Sequence, residues 1–304
     1  TLPDGKGPFP AVILVCGTGP NMRDEDVAGH KVFLVLADAL ARQGIAVLRY
    51  DKRGVGQSTG QYSGSTTADF ASDALTAIEF LKTQAGIDPK RVGVVGHSEG
   101  GIIAPMVGVD APGIAFVVML AGPSIRGDNL FLAQSETVSR LYGVPEDYIA
   151  KRKVFDRKLY DAVIAANSAE EASDRARAIV AEGVADKVVD ANEAPTLARD
   201  TTTAWERYFL AYDPAPTLRR LTMPVLALYG SLDAQVPAAD NLPVARDALK
   251  QNKYATVVEL PGLNHLLQKA TTGSPQEYAD IDETISALAL KTITDWIIAQ
   301  TVGP

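Results

Sequence analysis

Cysteine occurs once in this chain, at Cys16, so no internal disulfide can form and no zinc site built on several thiolates is available. Histidine is scarce too. His30, His97 and His265 are the whole supply, and any mechanism that needs an imidazole must use one of them. Lys and Arg total 29 against 37 Asp and Glu, a formal net charge of -8. That deficit argues against a nucleic-acid or anionic-membrane surface, both of which want clustered cations. No apolar run approaches the ~18 residues of a membrane span. The longest, Ala11–Cys16 and Ile114–Ala121, have the length of buried strands. Repeats and low-complexity segments are lacking. The opening residues Thr1–Gly5 show no secretory signal. They read like the end of a strand entering a turn, so an upstream segment is expected to have been lost or processed. The compartment stays open: cytoplasmic on the chain as given, periplasmic or secreted if an N-terminal segment has been removed.

What is present is an alternation of strand-like and helix-like segments in 304 residues that are 46% hydrophobic. Continuous apolar runs predict strands at Ala11–Cys16, Ile45–Tyr50, Arg91–Gly96, Ala115–Ala121, Pro224–Gly230 and Tyr254–Leu260. Between them, Val32, Leu36 and Leu40 recur at helical spacing up to a stop at Gly44. Ala71, Leu75, Ile78 and Leu81 do the same after the capping candidates Ser65-Thr66-Thr67. Ile102–Val109, Ala238–Lys250 and Ile281–Ile298 complete the helices. This order predicts an α/β fold: a mostly parallel central sheet with helices on both faces. The pattern breaks at Gly122-Pro123-Ser124, and no strand is expected before Asp213. In that stretch Tyr148, Phe155, Leu159 and Val163 share a helix face, and Ala169–Val184 reads as another helix. Residues 1–123 and 214–304 are therefore expected to form the core domain, and 124–213 an inserted α-helical cap.

Gly96-His97-Ser98-Glu99-Gly100 is a G-x-S-x-G motif placed directly after a predicted strand and before a predicted helix. Such a strand-to-helix turn lifts the serine hydroxyl above the sheet and leaves no room for Cβ atoms beside it, which Gly96 and Gly100 satisfy. The helix N-terminus behind Ser98 points free N–H groups at a developing oxyanion. A capping serine in a glycine-rich turn is the bland alternative. A serine hydroxyl needs a base held by an acid. Asp233, in Gly230-Ser231-Leu232-Asp233, and His265, in Pro261-Gly262-Leu263-Asn264-His265, each follow a predicted strand at the sheet's C-terminal edge. Alone, each reads equally well as an ordinary loop residue. Together they give the order Ser98, Asp233, His265. Cys16-Gly17-Thr18-Gly19-Pro20 follows the first strand, where the second oxyanion donor is wanted. The donors are expected to be the backbone N–H groups of Thr18 and Glu99, with Gly17 and Gly19 letting a ligand approach. A dinucleotide fingerprint fails at Met22, and no phosphate-binding loop motif occurs. Asp51–Ser58 reads as a rigid loop with internal ion pairs, and Arg23-Asp24-Glu25-Asp26 as a solvated charge run. His97 is expected to point into the fold, and His30 to begin a helix as a packing or capping residue.

The oxyanion turn CGTGPNMRDED, the stretch YDKRGVGQSTG, the elbow GHSEGG, the segment YGSLDAQVP and the histidine loop PGLNHLLQ together give a resemblance. The chain resembles the α/β-hydrolase serine esterases, near the EstD-type bacterial carboxylesterases and their acyl-esterase relatives. The resemblance implies Ser98 as nucleophile, Asp233 as acid, His265 as base, Thr18 and Glu99 as oxyanion donors, and 124–213 as a cap over the pocket. It implies no metal and no organic cofactor. Related proteins usually carry further N-terminal residues, including a first strand or hairpin. The function expected is hydrolysis of small, short-chain carboxylic esters through an acyl-enzyme. A peptidase, thioesterase or acyltransferase using the same triad is the first alternative, and a non-catalytic ligand-binding protein of this fold the second. Acyl preference and oligomeric state are not written in the sequence.

Overall fold

The computed structural model describes residues 1–301. The chain runs through β1 (Phe9–Val15), β2 (Asp26–Val27), β3 (His30–Lys31), α1 (Val32–Arg42), β4 (Ala46–Arg49), α2 (Thr67–Lys82), β5 (Ile87–His97), α3 (Gly100–Asp110) and β6 (Val117–Leu120). Five helices follow without a strand: α4 (Gly127–Leu141), α5 (Glu146–Ile164), α6 (Ala169–Ala185), α7 (Ala194–Asp200) and α8 (Ala204–Ala211). The alternation resumes with α9 (Pro214–Arg219), β7 (Val225–Gly230), α10 (Ala238–Leu249), β8 (Ala255–Leu260), a 3-10 turn (Pro275–Asp280) and α11 (Ala287–Thr301). The six-stranded sheet has the order β4-β1-β5-β6-β7-β8. Every strand pair in it is parallel. Strands β2 and β3 form a small antiparallel ladder of their own.

The strands are largely apolar because both faces of the sheet are covered, and their charged residues fall at the start of β5 and in the edge strands β4 and β8. Side chains alternate between faces. Ile13, Val94, Val117 and Ala227 face the side packed by α2, α3 and α10. Val12, Val95, Val118 and Leu226 face the side of α1 and α11, among Phe33, Leu36, Ile293 and Ile297. Local signals set the helix ends. Thr66 and Asp69 close a capping box at the start of α2. At the end of α1, Gly44 adopts φ +82°. Its N–H reaches the Ala41 carbonyl while Ile45 N–H reaches Leu40, the paired bonds of a Schellman stop.

The helical stretch between β6 and β7 has its own apolar centre, where Phe155, Leu159 and Val163 of α5 meet Ala176, Ile179 and Val180 of α6. Tyr148 lies at the exposed edge of this face, outside the cluster. It stays 39% exposed and hydrogen-bonds through its hydroxyl to the Val188 carbonyl at 2.9 Å. The entry to this stretch is pinned at buried Ser124, whose N–H donates to Asn241 Oδ1 and whose hydroxyl meets the Tyr229 hydroxyl at 2.6 Å. Among the described residues, no helix is long and apolar enough to cross a membrane.

Candidate active site

Strand β5 ends at His97, α3 begins at Gly100, and the turn between them holds Ser98 at φ +54°. A non-glycine residue there is strained and persists only where its surroundings fix it. The fixing is steric. A Cβ at Gly96 would sit 1.8 Å from the Gly100 carbonyl oxygen, and a Cβ at Gly100 would sit 2.0 Å from the Val15 oxygen. The turn therefore closes onto itself and onto the end of β1, which leads straight into Gly17 and Thr18. The Ser98 N–H is tied to the Leu120 carbonyl of β6 at 2.9 Å.

The loops after β7 and β8 meet at the same edge of the sheet. Asp233 is 4% exposed and accepts the backbone N–H groups of Gln235 and Val236 on Oδ1, both at 2.8 Å. Its Oδ2 accepts from His265 Nδ1 at 2.8 Å. The histidine loop is held by buried Asn264. This side chain accepts from the Leu266 and Gln268 amides at 3.0 Å each and donates to Gln268 Oε1 at 2.8 Å. With Nδ1 committed to Asp233, the lone pair of a neutral imidazole is left on Nε2.

Ser98, His265, Gly17, Thr18 and Glu99 all line one cavity of about 360 Å³. No hydrogen bond joins the Ser98 hydroxyl to His265 among the described residues. The backbone N–H groups of Thr18 and Glu99 likewise donate to no protein acceptor among the described residues. Part of the remaining wall comes from the helices between β6 and β7: Leu130, Phe131 and Gln134 of α4, and Trp205 and Phe209 of α8. The aromatic rings form a stack, with Phe209 5.0 Å from Phe131 and 4.8 Å from Trp205 between centroids. Among the described residues, no group of three or more His, Cys, Asp or Glu is placed to hold a metal ion.

Three residues of the site were not singled out by sequence reasoning. Glu25 lies in the charge run that the sequence suggests is solvated, yet it is 1% exposed, at φ +48°. Its Oε1 accepts the Gly17 N–H and faces His97 Nδ1, while Oε2 has no protein partner among the described residues. Lys52 belongs to the loop for which the sequence suggests internal ion pairs. Its side chain is 4% exposed and pairs instead with Glu99, 0% exposed, at 3.0 Å. The neighbours of Lys52 also look outward from the loop: Asp51 pairs with Arg23, and Arg53 with Asp73. Trp205 donates its indole N–H to Glu99 Oε1 at 2.6 Å. One signal was available. A buried glutamate beside a strained turn at the start of an apolar helix is stabilised by a cation nearby, and Lys52 lies just past the end of β4, on the far side of β1 from β5.

The other two histidines are engaged on both ring nitrogens. His97 does point into the fold. It meets Glu25 through Nδ1 at 3.1 Å and the His265 carbonyl through Nε2 at 2.9 Å. His30 lies in β3 rather than at a helix start, and binds the Tyr278 carbonyl and the Thr284 hydroxyl.

Comparison with known proteins agrees with this architecture. The family profile Hydrolase_4, described as serine aminopeptidase, S33, matches residues 30–269. Esterase EstD of Thermotoga maritima is 30% identical over 282 residues, which cover 91% of this chain and 60% of that protein. The chain thus spans about three fifths of that curated relative. Among solved structures, Est1E of Butyrivibrio proteoclasticus with ferulic acid bound superposes with a TM-score of 0.56 at 16% identity, covering 100% of this chain and 94% of that one. The α/β-hydrolase GrgF of a Penicillium species gives 0.59 at 16% identity, covering 99% and 93%. At that identity the likeness is one of fold: this is an α/β-hydrolase fold.

Proposed function

The chain belongs to the serine aminopeptidase S33 family of hydrolases, and from that premise we propose that it is a serine carboxylic-ester hydrolase acting on small esters through an acyl-enzyme. One observation carries the reading: Ser98 at its strained turn shares a single cavity with His265, whose Nδ1 is held by Asp233, and with Thr18 and Glu99, whose backbone N–H groups have no protein acceptor among the described residues.

In this reading Asp233 fixes the tautomer of His265 by accepting from Nδ1, which leaves Nε2 to take the Ser98 proton. Ser98 Oγ attacks the acyl carbonyl. The Thr18 and Glu99 amides bear the resulting oxyanion, a contribution on the order of 10²–10³ in rate for each donor. His265 returns the proton to the departing alcohol, and water repeats the sequence to free the acid. The helical segment 124–213 acts as a cap that supplies the aromatic wall. A cavity of about 360 Å³ lies at the small end of the ~300–1,000 Å³ range for ligand pockets, which favours short acyl chains.

The family's name, serine aminopeptidase, favours a second substrate class, aminoacyl amides, whose cleavage uses the same residues. The test is a panel of p-nitrophenyl acetate, longer esters, thioesters and aminoacyl arylamides, run with the wild type and Ser98→Ala. Short-ester turnover that Ser98→Ala lowers by at least ~10³-fold, together with fluorophosphonate labelling lost in the variant, supports the reading. Turnover unchanged in a folded Ser98→Ala protein defeats it.

A further inference from the structure

Two backbone amides stabilise charge only if they are aimed and cannot turn away, so the question is what aims them. A trans peptide places its N–H opposite its carbonyl. The one cis bond among the described residues is Gly7–Pro8, so the Thr18 N–H points away from the Gly17 oxygen. That oxygen accepts Lys52 Nζ at 2.6 Å and Asn21 Nδ2 at 2.9 Å. A cation on the carbonyl also polarises the peptide and sharpens its N–H as a donor.

The same ammonium reaches Glu99 Oε2 at 3.0 Å. The carboxylate of Glu99 accepts two further donors on Oε1: the Thr67 hydroxyl at 2.7 Å and the Trp205 indole at 2.6 Å. Its partners therefore come from three places in the chain: the loop after β4, the start of α2, and α8 of the inserted helices. The ion pair is buried, and a buried pair is poor evidence for stability in its own right. Its placement gives it another purpose. Lys52 touches one oxyanion peptide directly and the side chain of the other donor residue, while Trp205 reaches that side chain from the cavity roof.

We propose that Lys52 and Trp205 are positioning residues for the oxyanion site: Lys52 fastens the Gly17 carbonyl and thereby aims the Thr18 N–H, and Trp205 fixes the Glu99 backbone through its carboxylate. The donor pair is complete only when α8 is seated on the core. This rests on Thr18 and Glu99 being the oxyanion donors of the proposed esterase.

The test is Trp205→Phe, which keeps a smaller aromatic ring in the wall and removes the N–H donor. Its kcat for p-nitrophenyl acetate is expected to fall by about 10- to 100-fold, the range for a small misplacement of a catalytic group, with KM little changed. Affinity for a boronic acid that forms a tetrahedral adduct on Ser98 should fall with kcat. A double variant, Lys52→Met with Glu99→Gln, removes the cation without stranding a buried carboxylate and should weaken both quantities further. The idea is overturned if Trp205→Phe leaves kcat and boronate affinity as in the wild type, or raises KM alone. Failure of the esterase reading looks different: the wild type itself would neither turn over ester nor be labelled by a fluorophosphonate, and this inference would fall with it.

Discussion

The Nε2 of His97 lies 2.9 Å from the carbonyl oxygen of His265, and its Nδ1 lies 3.1 Å from Glu25 Oε1. A carbonyl accepts only, so Nε2 carries a proton. Facing a carboxylate at Nδ1, the ring and Glu25 then hold one more proton between them. This buried pair lies under the site, because Glu25 also takes the Gly17 amide and His97 precedes Ser98.

The charge of that pair should be visible in stability. Burial by itself would lower the His97 pKa, but the Glu25 carboxylate, with the His265 carbonyl and the more distant Asp233, outweighs it and raises the pKa above its ordinary 6.5. A histidine raised in the folded state contributes stability that is complete below about pH 6.5 and is lost as pH climbs through the folded value. The Tm advantage of wild type over His97→Asn should therefore shrink as pH rises above about 6.5. A gap that is the same at every pH would contradict the charged pair.

Glu206, half-buried in α8, gives a shift of the same sign by a different route. Burial, then the nearby Asp200 carboxylate, raises its pKa to about 7 from 4.5. Ionising it in the folded state is costly, so the stability it permits below about pH 4.5 is lost as pH rises through 7. Glu206→Gln should match the wild-type Tm near pH 4.5 and exceed it at pH 8. Differential scanning calorimetry at the two pH values decides it.

Gly96→Ala tests the closed turn. The added carbon would lie 1.8 Å from a backbone oxygen, with no flexible side chain to move aside. Destabilisation of about 3 kcal/mol or more is expected, at the top of the overpacking range, read from urea denaturation. An alanine variant of wild-type stability would mean that the turn opens freely.

The sequence made the frame and the proposed catalytic trio legible for a local reason. Each lies in a contiguous signal: an apolar run, a G-x-S-x-G turn, or an Asp or His a few residues past a strand end. Glu25, Lys52 and Trp205 carry no such signal. Glu25 stands between Asp24, which pairs with Arg49, and Asp26, which is exposed, so its neighbours advertise solvent while its own backbone turns in. Lys52 and Trp205 are separated from Glu99 by long stretches of chain, and burial of a charge is settled only when those segments meet. The exposed edge of the α5 face was missed for a related reason. Helical period names the face of Tyr148, but not where the packing ends.

Of the imidazole nitrogens in the chain, His30 and His97 have both occupied and His265 has Nδ1 occupied. Among the described residues, His265 Nε2 alone is left without a protein partner, and it belongs to a residue of the cavity wall. An acylating reagent that needs a bare ring nitrogen, such as diethyl pyrocarbonate, therefore meets a folded protein with a single reactive histidine. Unfolding would expose all three, so the stoichiometry of carbethoxylation becomes a direct gauge of whether this edge of the sheet is intact.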